Sequence, residues 1–263
     1  MSTLATVNVI KRRFPVELER IEKVPEFQRE INYFRENIGN VKTADDFLGD
    51  FRLYRFALTA FDLESQINSR GIFQKALTED ISDDDSLVNK LIDPKFLVFA
   101  GAFNFAAGNE KNFQDTELID SIIDRYKNVR VEQREGERSP GARLALYFER
   151  QAPQLSSYFG LLSDRPLREF IFTAFGLPDA INVLPAQRIV DILETRFDFE
   201  EIKSEEGRQR LIDRFAATYD AINPPQIAAS PLAQIIQPIS ASSRPQIISI
   251  DATSLFNLRT GIF

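Results

Sequence analysis

Carboxylates are the reactive groups this chain holds in number: 39 Asp and Glu against 32 Lys and Arg, with no His and no Cys. Without Cys there is no disulfide, no thiolate metal site and no thiol nucleophile. Without His the usual general base near neutral pH is gone, and so is the commonest zinc ligand. No Ser-His-acid triad can be built, and neither Gly-x-Ser-x-Gly nor a glycine-rich phosphate loop occurs. The acidic run "DISDDDSL" at Asp80–Leu87 offers the oxygen ligands calcium prefers. It lacks the central glycine and terminal bidentate Glu of an EF-hand loop, so it reads as a solvated helix N-terminus, where carboxylates favour the macrodipole. Glu200 and Glu201 near Glu205 and Glu206 could in principle run glycosidase-like acid/base chemistry. Pairs at helical spacing, however, arise by chance in so acidic a chain.

Three other sets stand out because each occurs twice: Asp50 and Asp164, Thr59 and Thr173, and Tyr33-Phe34 with Tyr147-Phe148. Each has an ordinary structural reading. An Asp before a helix caps it, a Thr on a helix bonds its own backbone, and a Tyr-Phe pair anchors a core with the phenol reaching outward. The sequence therefore assigns no catalytic residue, no cofactor-binding residue and no metal ligand.

The recurrence itself is the firmer signal. A shift of 114 residues aligns Tyr33–Asn68 with Tyr147–Asn182 without a gap, and twelve of those 36 positions are identical. Nine of the twelve are apolar or aromatic, counting Ala, so what is shared is packing. Further on, with small insertions, "KLID" at Lys90–Asp93 matches "RLID" at Arg210–Asp213. The chain reads as a duplicated helical unit.

Spacing makes those units helical. Phe27, Ile31, Phe34 and Ile38 line one face of a 3.6-residue period, with Pro25 in the first turn and Gly39 at the left-handed C-terminal position. Leu53, Phe56, Ala57, Ala60 and Phe61 form a second stripe behind Asp50. Asp164, Pro166, Leu167, Phe170, Phe172, Ala174 and Phe175 repeat it, and Gly176 then falls where the first copy has Asp62. Both residues tolerate a positive φ, so that position ends the helix in both copies. Asp93-Pro94 and Ser139-Pro140 mark two more helix starts, and Leu118, Ile119, Ile122, Ile123 and Tyr126 an amphipathic connector. No sustained period-two alternation argues for a sheet. The expected fold is all-α: a first unit over residues 1–110, a connector helix and second unit over 111–223, packed as one body, and a proline-rich tail over 224–263.

In that tail Pro224, Pro225, Pro231, Pro238 and Pro245 recur too often for a stable helix. Only the last fourteen residues, IDATSLFNLRTGIF, suit one, and there Leu255, Phe256 and Leu258 are the candidate contacts for a protein partner. At the other end Lys11-Arg12-Arg13 follows the apolar stretch instead of preceding it, the wrong order for a secretory signal, and reads as a solvated helix end. No stretch reaches the roughly 20 apolar residues that span a bilayer. A net charge of −7 with no larger basic cluster argues against nucleic acid. The chain is expected to be soluble, without signal peptide or membrane insertion.

At "YFRENIGNVKTADDFLGDFRLYRFALTAFDLE" and again at "GARLALYFERQAPQLSSYFGLLSD" the sequence resembles an alphaproteobacterial family of unknown function, domain-of-unknown-function number twelve-seventeen. Genes of that family are often met among flagellar genes. "KLIDPKFLVFAGAFNFA" and "RLIDRFAATYD" fit the same pattern, so the resemblance covers most of residues 1–223. It implies a helical fold and a link to flagellar structure or assembly, and it carries over no catalytic residue. The leading reading is a non-enzymatic structural or assembly protein, cytoplasmic or exported through the flagellar export apparatus, whose partner is a flagellar protein. The alternatives are a cytoplasmic chaperone or regulator of an exported flagellar protein and, below it, an enzyme working through carboxylates.

Overall fold

The computed structural model describes residues 1–106 and 113–224, which belong to one compact unit. Leu255, Phe256 and Leu258 lie outside the described residues. Every regular element described is helical. The helices are α1 (Thr3–Glu22), α2 (Pro25–Asn37), α3 (Ala44–Gly49), α4 (Phe51–Ala60), α5 (Arg70–Thr78), α6 (Leu87–Lys90) and α7 (Lys95–Phe103). After them come α8 (Thr116–Gly136), α9 (Pro140–Gln151), α10 (Tyr158–Ser163), α11 (Arg165–Ala174), α12 (Ala186–Glu194) and α13 (Glu205–Ile222). None of them is long and apolar enough to cross a membrane.

Two hydrophobic cores organise these helices. The first is built on phenylalanine: Phe34, Phe47, Phe73, Phe99 and Phe103 are fully buried, and Phe47 and Phe103 stack at 5.0 Å. The second centres on a column of rings, Phe148 on Phe170 at 4.0 Å and Phe170 on Phe215 at 4.4 Å. The first core has its own column, Phe34 on Phe56 at 4.3 Å and Phe56 on Tyr126 at 4.0 Å. Stacked pairs of this kind add about 0.5–1.5 kcal/mol each beyond the area they bury.

The columns show where the cores draw their helices. Ile122, Ile123 and Tyr126 of α8 belong to the first core, although the sequence places that helix with the second unit. Val7 and Ile10 of α1 belong to the second core, although they lie in the first 110 residues. The boundary at residue 110 therefore does not separate the cores. Helix α1 is the strap between them. The hydroxyl of Thr3 donates to Asp220 of α13 at 2.5 Å, and Lys11 pairs with Glu149 of α9 at 2.7 Å. Lys11-Arg12-Arg13 is thus the middle of a 20-residue helix and not its end. Arg13 and Arg20 both bond Glu17, whose carboxyl is held low: burial alone would raise it, but the two guanidiniums outweigh that.

Other local readings shift in the same concrete way. Gly39 sits in a 3-10 turn, Ile38–Asn40, that tightens the end of α2, so no left-handed residue is needed there. The acidic run is a turn ahead of the four-residue α6, not a helix N-terminus. Asp80 accepts from the Ser82 backbone at 2.9 Å, and Asp83 from the Asp85 backbone at 2.9 Å. "KLID" ends α6 and enters a loop, whereas "RLID" lies inside α13, so those two stretches are not equivalent. The residue that answers Phe215 of α13 is Tyr126 of α8, since each closes its core's ring column.

Candidate functional site

The matched stretches fold alike in detail. Thr43 caps α3 and Ser157 caps α10, each accepting from a backbone N–H three residues on. Asp50 then caps α4 and Asp164 caps α11, and both of those helices run ten residues. Tyr33 donates its phenol to Asp50 at 2.7 Å, and Tyr147 to Asp164 at 2.6 Å. The phenols thus reach back to a helix cap and not outward. Asp62 at φ 57° and Gly176 at φ 60° end α4 and α11. Leu63 and Leu177 then each donate a backbone N–H at 2.8 Å to a carbonyl five residues earlier, the Leu58 and Phe172 oxygens. That bond needs a left-handed residue before it, which Gly adopts freely and Asp tolerates.

The two matched stretches differ in what surrounds these features. In the first, Tyr33 and Asp50 are half-exposed, and Arg52 lies 3.7 Å over the Tyr33 ring. In the second, Tyr147 and Asp164 are buried. Lys95, at the start of α7, donates its ammonium to Asp164 at 2.6 Å and approaches Asp93 at 3.4 Å. Beside it Arg150 of α9 holds Asp62 at 2.7 Å and Glu132 of α8 at 2.6 Å, and Gln151 donates to Asp62 at 2.7 Å. A cleft of about 480 Å³ opens over this cluster, lined by Thr59, Asp62, Asp93, Lys95, Arg143, Tyr147 and Asp164 among others. That volume would hold a small molecule.

Electrostatics in the joint follow from burial and pairing. Burial pushes the Tyr147 phenol well above its ordinary range, and the nearby Asp62 and Asp164 carboxylates push it further. Burial pulls Lys95 down, but Asp164 and Asp93 more than compensate, so its ammonium is held above the usual range. Arg150 behaves likewise: burial opposes its charge, while Glu132 and Asp62 over-compensate. Glu132 and Asp93 are raised by burial against the opposing pull of Arg150 and Lys95 respectively. Such a cluster could in principle move protons, since perturbed groups in a cleft are a usual mark of active sites. Here Lys95 already lies against Asp164 and Asp93, and Arg150 against Asp62 and Glu132. Buried ion networks of structural origin perturb pKa values in the same way.

The other carboxylate candidates lie apart from this cluster. Glu200 and Glu201 occupy a 3-10 turn, Phe199–Lys203, and Glu205 and Glu206 start α13, with Glu201 paired to Arg210 at 3.3 Å. Among the described residues no group of three or more acids converges as a metal site would require. Thr59 is fully buried and donates to the Arg55 carbonyl of its own helix at 2.9 Å. Lys95, Arg150 and Glu132 carried no signal in the sequence, because none of them recurs at the 114-residue spacing.

The family model described as a protein of unknown function (DUF1217) matches residues 60–207. No curated protein matches the chain. Among solved structures the chain is similar to the crystal structure of protein AGR_C_984 from Agrobacterium tumefaciens, at 32% identity and a TM-score of 0.75. That similarity covers 85% of this chain and 97% of the other.

Proposed function

For a chain that belongs to the DUF1217 family of proteins of unknown function, we propose a non-enzymatic structural or assembly role in the flagellum, exercised through protein–protein contacts. The chain is, in this reading, a duplicated helical unit whose second copy is docked on its first. The observation that carries it is the self-sufficiency of the joint: Asp164 and Asp93 are spent on Lys95, and Asp62 and Glu132 on Arg150. Groups paired this way position the helices they link, which is the role this reading assigns them. The Asp50 and Asp164 caps, the Phe34–Phe56 and Phe148–Phe170 stacks and the left-handed turns at Asp62 and Gly176, each pair 114 residues apart, support the duplication. The flagellar link comes from the family resemblance alone.

The chaperone reading needs an apolar groove between the copies, and a lining of Asp62, Asp93, Lys95 and Arg143 weighs against it. The deciding experiment compares cytoplasm, purified hook–basal bodies and culture medium, blotted from cells with and without a working flagellar export gate. Gate-dependent appearance in the basal bodies or medium supports a flagellar component. Confinement to the cytoplasm in both strains refutes it and favours a cytoplasmic regulator.

A further inference from the structure

Lys95 and Asp164 meet as an amine and a carboxyl that water hardly reaches. Their side chains are 15% and 3% exposed, and the Lys95 Nζ lies 2.6 Å from Asp164 Oδ2. The two residues stand 69 apart in the chain, so folding alone brings them together. Each oxygen of Asp164 is held separately. Oδ1 accepts the Leu167 backbone N–H at 3.1 Å, in the first turn of α11. Oδ2 accepts the Tyr147 phenol at 2.6 Å. A second carboxylate, Asp93, has an oxygen 3.4 Å from the same Nζ, and the Tyr147 hydroxyl is 3.4 Å from it as well.

These are the parts of an acyl transfer. An amine facing a carboxyl carbon is a nucleophile once it is neutral. A backbone N–H at a helix start steadies the charge that develops on Oδ1 during attack. The Tyr147 O–H stands on the oxygen that has to leave, and Asp93 stands where a base for the nitrogen's proton must be. Burial raises the Asp93 carboxyl against the pull of Lys95, which suits it to take up a proton. The cleft of about 480 Å³ over the cluster gives a released water its way out. The other lysine pairs among the described residues lack this setting. In Lys11–Glu149, Lys90–Asp85 and Lys127 with Glu22 and Asp124, each carboxylate is at least 35% exposed and stays solvated.

We propose that the chain cross-links itself here: the side chains of Lys95 and Asp164 condense to an amide, an isopeptide bond that ties α7 to the start of α11. The ammonium passes one proton to Oδ2 along their hydrogen bond, which leaves a neutral amine and a carboxylic acid. Nζ then forms a bond to Cγ, and a second proton leaves the nitrogen for Asp93 and ends on Oδ2. The Cγ–Oδ2 bond breaks, and that oxygen departs as water with both protons. The ammonium's third proton stays as the amide N–H. One positive and one negative charge disappear, Asp93 and Tyr147 end as they began, and nothing is oxidised or reduced. Held in contact, reacting groups reach effective molarities of about 10⁵–10⁸ M, which lets an unactivated acid and amine condense. Burial alone would lower the Lys95 ammonium, but Asp164 and Asp93 hold it above its usual range, so the neutral amine is scarce and closure follows folding slowly. This is one event within a chain, with no substrate turned over, and it goes beyond the assembly role without depending on it.

The test is the intact mass of the purified full chain, incubated near neutral pH for a week. The expected result is a species lighter by one water molecule. Its tryptic digest contains a branched peptide joining Leu91–Lys111 to Gln151–Arg168, because trypsin does not cut after an acylated Lys95. Lys95→Arg keeps the positive charge but cannot close, so it keeps its full calculated mass. Asp93→Asn keeps the amine and the Asp164 carboxyl but loses the base, and slows closure at least about a hundredfold, the usual worth of a positioned base. Helical circular dichroism confirms that both variants fold. On a denaturing gel the closed chain runs ahead of Lys95→Arg, since a bridge between residues so far apart keeps the unfolded chain compact. An unchanged mass in the folded parent overturns the proposal and leaves a salt bridge only. So does a water loss that persists in Lys95→Arg, one that maps to another pair, or closure of Asp93→Asn at the parent's rate. The mass is read on the purified chain, so it is separable from the flagellar role, which rests on where the protein goes in the cell.

Discussion

Replacing Asp62 separates the two things that residue does. It holds a left-handed backbone turn at φ 57°, and its carboxylate takes Arg150 and Gln151 from the end of α9. Its side chain is 10% exposed and that of Arg150 is 25%, so solvent screens the pair only partly. Losing a charged hydrogen bond costs about 1.5–3 kcal/mol, and the lost Gln151 bond brings the total to about 3 kcal/mol. A non-glycine residue in the left-handed region costs roughly 1–2 kcal/mol more than Gly. Asp62→Ala keeps the strain and loses the bonds, so it should destabilise by about 3–4 kcal/mol. Asp62→Gly loses the same bonds but takes on the conformation Gly176 has in the second copy, so about 2 kcal/mol is expected. Asp62→Asn retains an acceptor and left-handed tolerance while losing the charge, and falls below both. Urea unfolding of the three variants, with m held constant, reads these differences directly. An Asp62→Ala loss under about 0.5 kcal/mol would show that the carboxylate does not hold α9. Asp62→Gly more damaging than Asp62→Ala would refute the strain argument.

All six tyrosines are held above their ordinary range, Tyr54 up to about 12 because it is buried. A phenol whose folded pKa is raised keeps its proton longer than the unfolded chain does. Its stabilisation is complete below about pH 10 and is lost as pH rises toward the folded value, and Lys95 adds a loss of the same sign. Stability should therefore fall above pH 10 by up to about 1.4 kcal/mol per pH unit for each such group, and Tyr147→Phe should flatten that slope by one. No His titrates near neutral pH, and the raised Glu132 and Asp93 carboxyls make stability fall as pH climbs above the ordinary carboxylate range; urea midpoints that rise there would count against this. Phe170→Ala opens the centre of the second ring column and should cost about 3–5 kcal/mol in urea unfolding; a smaller loss means the column does not organise that core. At Gly207 an added Cβ would overlap the Glu201 carbonyl, so Gly207→Ala should lower the thermal midpoint by several degrees. An unchanged midpoint would mean that the turn before α13 yields freely.

What could be read from the sequence was what recurs. The shared Asp50/Asp164, Phe34/Phe148, Phe56/Phe170 and Asp62/Gly176 positions carry the caps, ring stacks and turns, because local rules of capping and periodicity fix them. The partner of each shared feature was not legible. Lys95, Glu132 and Arg150 come to the joint from three helices through long-range packing, and nothing in a run of neighbours marks a charge as destined for burial. The extent of α1 was not legible either: the buried stripe of Val7, Ile10 and Ile21 contains the polar Thr3 and Glu17, and Val7 and Ile10 take their partners from the second core, far along the chain. The phenol of Tyr147 turns inward because Asp164 is there to accept it, a pairing of residues 17 apart that helical periodicity does not encode.

The most direct test of the joint as structure and not chemistry is to make it apolar. A chain carrying Lys95→Met, Tyr147→Phe and Asp164→Leu together loses the buried Lys95–Asp164 pair and the phenol beside it at nearly constant volume, with Asp93 left at the cleft's edge. Replacing a buried ion pair by packed apolar side chains of similar size is often neutral to stability. If the proposed flagellar role holds, so that a strain lacking the gene swims poorly, the folded triple variant is expected to restore swimming as well as the parent does. A triple variant that folds, accumulates normally and leaves the cells non-motile would contradict the account and turn Lys95, Tyr147 and Asp164 into candidates for an active site.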